Sequence, residues 1–158
     1  MDAVRLIGAT RHALAQSRAA EEIVAEAWQA QALAQAVGSH LALHGPPELR
    51  SRAHGLSESG GRACGVLRLP GQREGGVRAA QLSGLKDPRS VLLALGALLG
   101  EVGIELVGVA CSADEEALYW QCIEAIDATD EAGDRVHGLL RQLTERERWQ
   151  ADPAAEPS

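Results

Sequence analysis

The run from Val91 to Cys111 restricts the fold of this chain more than any other feature. Its sequence, VLLALGALLGEVGIELVGVAC, is apolar or Gly at every position except Glu101 and Glu105. The run is long enough to cross a bilayer, but two acids near its middle would raise the free energy of insertion by about 5 kcal/mol or more. We therefore expect a buried core helix and no membrane association.

Caps and breakers divide the chain before this run into helices. Asp2 is the expected N-cap of the first helix, and Gly45-Pro46-Pro47 ends the second, because proline cannot continue the hydrogen-bond ladder. Apolar residues recur every three or four positions between these signals. The pattern predicts a helix over 2–16, a helix over 20–44, a glycine-weakened helix over 47–66, a loop over 67–76 and a short helical turn over 77–82.

The second half reads as a helical hairpin. Asp87 and Pro88 form a start signal for the central helix. Ser112 and Glu115 have the spacing of a capping box, which predicts that a last helix begins there and runs back to about Trp149.

No segment alternates between polar and apolar residues with the period of a strand. The chain is therefore expected to be all-α, an antiparallel bundle of five or six helices. A length of 158 residues fits one domain, which we place at 1–150, with a frayed tail at 151–158.

Charge is distributed unevenly in an acidic chain. The net charge is −7, with +3 over residues 1–100 and −10 over residues 101–158. The negative net charge argues against nucleic acid as a partner, because phosphate binding needs a basic face. One interpretation is that an arginine-rich middle segment packs against the acidic C-terminal half, and the alternative is that it docks a partner. The arginines concerned are Arg50, Arg52, Arg62, Arg68, Arg73 and Arg78.

Three cysteines without a CxxC motif or a secretory leader indicate a reducing, cytoplasmic setting. We expect Cys64, Cys111 and Cys122 to act as small apolar residues more often than as reactive thiols. The chain has one lysine, Lys86, beside many arginines. We read this bias as the codon usage of a high-GC bacterium.

Four carboxylates form the candidate chemical site. Glu101 and Glu105 share a face of the central helix, and Glu124 and Asp127 share a face of the next. Carboxylates from facing helices can hold Mg²⁺. The set resembles the MazG-like nucleotide pyrophosphohydrolases, all-α enzymes that hold magnesium with an ExxE pair and a later ExxD pair. Glu124-Ala-Ile-Asp127 matches the second pair, whereas Glu101 and Glu105 are four residues apart instead of three.

Simpler explanations exist for these and other polar residues. Glu101 and Glu105 are expected to pair with arginines of the middle segment or to reach solvent at a bundle edge. His40, His44 and His54 could ligate zinc, since three histidines in a helical bundle is an arrangement that some DinB-like proteins use. The alternative is that His44, at a helix end, complements the helix dipole.

Other catalytic signatures are missing from the sequence. There is no Glu-x-x-His pair, Gly-x-Ser-x-Gly elbow, phosphate-binding glycine loop or HExxH motif. Trp28, Tyr119 and Trp120 could line a ligand pocket between helices, but such aromatics are more often core.

Four stretches within residues 20–130 carry a resemblance: EIVAEAWQAQALA, GPPELR, GGRACGV and DEEALYWQCIEAIDA. With them the chain resembles a family of small uncharacterised all-α proteins from streptomycetes and related actinobacteria. The resemblance implies an actinobacterial source and a cytoplasmic location, and it implies no mechanism.

The sequence leads to two functional hypotheses. The first is a non-enzymatic cytoplasmic protein that acts through protein contacts, as a homo-oligomer or an accessory subunit, without a cofactor. The alternative is a Mg²⁺-dependent nucleotide phosphohydrolase that uses Glu101, Glu105, Glu124 and Asp127 as metal ligands.

Overall fold

The computed structural model describes residues 1–67 and 77–151, and these ranges confirm the all-α prediction. They contain two 3-10 turns, Pro47–Leu49 and Arg78–Gln81, and no β-strand. The predicted loop, apart from Leu67, and the predicted tail, apart from Ala151, lie outside the described residues. The five α-helices are α1 (Ala3–Gln16), α2 (Ala20–His44), α3 (Arg50–Val66), α4 (Pro88–Ser112) and α5 (Glu116–Ala151).

Four of the helices form a ring around the core. Helix α2 packs against α3 and α4, and α5 closes the ring by packing against both α3 and α4. Helices α4 and α5 are joined by three residues and run antiparallel, as short connections between packed helices require. Helix α1 lies against α2 and α4. The core is aliphatic, since the chain has no Phe and the large fully buried side chains are Leu and Ile.

Glycines let α2 and α3 approach until their backbones touch. A Cβ atom added at Gly60 would lie 2.7 Å from the carbonyl oxygen of Gln31 and 2.7 Å from the amide nitrogen of Gln35. A Cβ atom at Gly38 would lie 2.5 Å from the amide nitrogen of Ser57. The glycines predicted to weaken the third helix therefore include one, Gly60, that its packing requires.

The predicted start of the central helix is confirmed, but the predicted capping box is wrong. Asp87 occupies the N-cap of α4 and Pro88 follows in its first turn. A hydrogen bond from the Ser90 hydroxyl to the Asp87 carboxylate, 2.6 Å, is the main cause that lowers the pKa of Asp87. Ser112 belongs to the last turn of α4, where its hydroxyl donates to the Gly108 carbonyl, and α5 begins only at Glu116.

Polar contacts fix the segment after residue 77 to the first two helices. The Arg78 guanidinium forms an ion pair with Glu26 of α2 in a partly buried site. The backbone N–H of Arg78 donates to the side-chain oxygen of Gln29, 3.0 Å, and its guanidinium also donates to Thr10 of α1, 3.3 Å. These bonds position the chain for its entry into α4.

Candidate functional site

The structure does not place Glu101 and Glu105 in the core. The Glu101 side chain is 41% exposed and forms an ion pair of 2.5 Å with Arg11 of α1. The expectation that an arginine would neutralise it is confirmed, although the arginine comes from α1 and not from the middle segment. Glu105 is exposed and forms no ion pair with the residues that the structure describes. Neither acid carries the cost of burial that first singled it out.

The four carboxylates are not gathered into a metal site. Glu124 and Asp127 are exposed on α5. Across residues 1–67 and 77–151, no three side chains of His, Cys, Asp or Glu lie close enough together to hold a metal ion. Glu101, whose carboxylate accepts three hydrogen bonds from Arg11, is already engaged within the chain. The described structure therefore offers no observation in favour of magnesium chemistry.

The three histidines of the zinc hypothesis separate into a pair and a single residue. The rings of His40 and His44 lie 4.9 Å apart between centroids. His54 instead contacts Glu58, with 2.8 Å between Nε2 and the carboxylate, one turn further along α3. Zinc needs three or four ligands around one point, and these residues do not provide them.

The predicted contact between the arginine-rich middle segment and the acidic C-terminal half is carried, among the described ion pairs, by Arg62, which pairs with Glu131 of α5 at 3.2 Å. Arg89 of α4, outside that segment, pairs with Glu147 of α5 at 2.6 Å. Arg78 pairs with Glu26 instead, and Arg50 and Arg52 form no ion pair with the described residues. Arg68 and Arg73 lie outside the described residues. Most of these pairs are well exposed and contribute little stability, so they set the alignment of helices more than the strength of their packing.

The three aromatic residues of the pocket hypothesis differ in burial. Trp28 packs against the core from a half-buried position. Tyr119 and Trp120 are exposed, and their rings meet edge to face with centroids 5.2 Å apart.

The cysteines differ in their environments. Burial raises the pKa of the Cys64 thiol to about 11, and burial also raises the pKa of the Cys122 thiol. Cys111, at the end of α4, is exposed. The thiolate is the reactive form, so Cys111 is the accessible nucleophile of the three.

The most unusual surface feature is a row of apolar residues on the outer face of α4. Ile104 is 72% exposed and Leu93 is 55% exposed. The row continues through small residues, with successive members four and three positions apart, which is the spacing of a heptad seam. We call this row the α4 stripe: Leu93, Ala97, Gly100, Ile104, Val107 and Cys111, all exposed.

A groove between α4 and α5 borders the α4 stripe. It has a volume of about 570 Å³, and its walls combine Gly100, Ile104 and Val107 of the stripe with α5 residues. Asp130 and Asp134 of α5 form its far rim. The stripe and the groove therefore make one continuous surface of mostly apolar character with an acidic edge.

Two glycines on this side of α4 make no close contact with the described part of the chain. A Cβ atom added at Gly100 or at Gly108 would meet nothing within 4 Å. Glycine inside a helix lowers its stability by about 1 kcal/mol relative to alanine. At neither position does a close contact within the described fold offset this loss of helix stability.

Sequence reasoning missed the stripe because it followed the opposite face of the same helix. The residues Leu92, Leu95, Leu99, Val102, Leu106 and Val109 are buried, as a core stripe should be. A helix that is apolar on all sides is normally buried on all sides, so the composition of α4 could have drawn attention to its outer face as well.

By length and composition, α4 could also cross a membrane, but 39% of its most apolar window is buried among the other helices. Core helices of water-soluble proteins meet the same criterion, so this is weak evidence for a membrane location.

The fold and its surface define the class of protein: an all-α helical bundle with an exposed apolar helix face and, in the part described, no cluster of residues that could hold a metal ion. A family of unknown function, DUF6099, matches residues 1–142, and the chain belongs to that family. No curated protein and no solved structure matches it.

Proposed function

We propose that this protein acts through protein contacts, as a homo-oligomer or an accessory subunit, and that the α4 stripe is its contact surface. The supporting observation is the exposure of Leu93, Ile104 and Val107 along one helix face. Apolar patches of this kind, bordered by polar residues, are typical of interaction sites on soluble proteins.

A cytoplasmic location and an actinobacterial source belong to the same proposal. Three unpaired cysteines favour a reducing compartment, and the single lysine among many arginines favours a high-GC genome. The magnesium phosphohydrolase remains an alternative hypothesis, and no contact among the described residues favours it.

The test is site-specific photo-cross-linking in the cells that produce the protein. A benzophenone amino acid replaces Ile104, and a matched variant carries it at Leu43 on α2, because these side chains are 72% and 74% exposed. We expect a protein adduct from position 104 and none from position 43. Equal adducts from both positions, or none from either, would contradict the proposal.

A further inference from the structure

We propose that the partner of the α4 stripe is a second copy of this chain, packed antiparallel about a two-fold axis that passes beside Val102. The inference rests on the proposed function and gives its interaction surface a particular partner. A two-fold interface uses the same patch on both subunits, so the patch must be complementary to itself.

The sizes of the stripe residues meet this requirement in one register. In an antiparallel pair centred beside Val102, Gly100 faces the second copy's Ile104, and Ala97 faces its Val107. Leu93 at one end faces the Cys111 at the other end of the second copy. Each pair joins a large residue to a small one, which is how interdigitating side chains reach the density of a protein interior.

A parallel pair lacks this complementarity. Each residue would then face its own copy, so that Gly100 meets Gly100 and leaves a void, while Ile104 meets Ile104 and holds the helices apart. The glycines without neighbours also favour the antiparallel pair, because open space at Gly100 is where the second Ile104 side chain enters.

On the α1 side, the charges beside the axis are compatible with self-association. The Arg11–Glu101 ion pair lies on the α1 side of the stripe. Because Glu101 is next to residue 102, the two-fold axis places this ion pair beside the same ion pair of the second copy. Two arginines and two glutamates then alternate around the axis. Exposed pairs of this kind contribute to register more than to affinity.

The area of contact indicates a dimer of moderate strength. The stripe is about 27 Å long and about 10 Å wide as one face of a helix. A specific interface needs roughly 500 Å² from each partner, so α1 and α5 must contribute at the sides. We expect a dissociation constant on the order of 10 µM.

The first experiment measures mass by light scattering as the wild-type concentration rises from about 1 to about 500 µM. We expect a change from monomer to dimer. Ile104→Asp should raise the dissociation constant about 100-fold, because dimerisation would bury an unpaired charge, whereas Leu43→Asp, equally exposed on α2, should leave it unchanged. A wild-type monomer throughout this range overturns the proposal.

The second experiment tests the register with the native thiol of Cys111. With oxidised glutathione as electron acceptor, Leu93→Cys should give a disulfide-linked dimer, because residue 93 lies beside the second copy's Cys111 and disulfides need Cα atoms within about 7 Å. Leu93→Cys combined with Cys111→Ala should give none, and neither should the wild type. A disulfide-linked dimer of the wild type or of the double variant would indicate a parallel pair and would overturn the register.

Two further outcomes separate this inference from the proposed function. If the benzophenone adduct from position 104 has the mass of this chain plus that of a different protein, the proposal that the stripe is a contact surface is supported and the proposal of self-association is wrong. If the wild type floats with phosphatidylcholine vesicles and Ile104→Asp does not, the stripe binds lipid and both proposals are wrong.

Discussion

Helices α2 and α4 have the same length, 25 residues, but the helix that is more completely covered by its neighbours is not the more apolar one. Helix α2 is covered by α1, α3, α4 and α5 and buries two glutamines, Gln29 and Gln31. Helix α4 has an apolar face directed at solvent, with Ile104 72% exposed. The better-buried helix therefore carries the more polar residues. The difference teaches that position in the bundle decides burial, and that none of the described helices covers the outer apolar face of α4.

The largest effect is expected where α2 touches α3. Gly60→Ala would place a Cβ atom 2.7 Å from backbone atoms of Gln31 and Gln35, and backbone cannot move aside without separating the helices. We expect a loss of about 3 kcal/mol in the free energy of unfolding, measured by urea denaturation. Gly65→Ala, where the added atom meets nothing within 4 Å, is the control. Equal effects of the two substitutions would show that the close contact is not required.

The second prediction concerns the buried polar side chain of α2. Gln31 is fully buried, and neither polar atom of its side chain has a hydrogen-bond partner among the described residues. Gln31→Leu should therefore raise the free energy of unfolding by about 1–2 kcal/mol. Gln35→Leu, at an exposed position of the same helix, should change it by less than about 0.5 kcal/mol. A destabilised Gln31→Leu would mean that an ordered water or a partner outside the described ranges satisfies the amide.

The third prediction separates folding from association on α4. Gly100→Ala should stabilise the monomer by about 0.5–1 kcal/mol, since the added methyl group meets none of the described residues within 4 Å. It should weaken the dimer at least about threefold, because the methyl group fills the space for the second Ile104. Thermal melts at low concentration and light scattering at high concentration measure the two effects. If Gly100→Ala both stabilised the monomer and tightened the dimer, the pairing of Gly100 with Ile104 would be refuted.

The smallest effect is expected at the acidic rim of the groove. Asp130 and Asp134 of α5 border the α4 stripe, and the two-fold axis brings them towards their own copies. Asp130→Asn should tighten the dimer about twofold at low ionic strength, and the gain should vanish near 1 M salt, where charges are screened within about 3 Å. Asp114→Asn, outside the groove, is the control. Weaker association of Asp130→Asn would show that the carboxylate makes a favourable contact.

The helices themselves could be predicted because their signals are local. Asp87 and Pro88 mark the start of α4, and the Gly-Pro-Pro sequence at 45–47 ends α2. Ser112 failed as a capping residue because its hydroxyl bonds to the preceding turn of α4, and the sequence pattern does not distinguish these two uses of one serine.

The candidate site could not be predicted because it depends on contacts between distant segments. The partner of Glu101 is Arg11, which lies 90 residues away in sequence. No spacing rule connects them, so the sequence could indicate an arginine partner for Glu101 without identifying which arginine. Likewise, the periodicity of α4 shows two apolar faces without showing that α1 and α5 leave one of them bare.

Because Cys64 and Cys122 are held as protonated thiols by burial, a thiol-selective dye should react first at Cys111. That residue ends the α4 stripe. If the stripe is the contact surface proposed above, the labelling rate of Cys111 should fall as the stripe becomes covered. Labelling of the unaltered protein in a living cell would then report the covered fraction without a mutation, a tag or a purified partner.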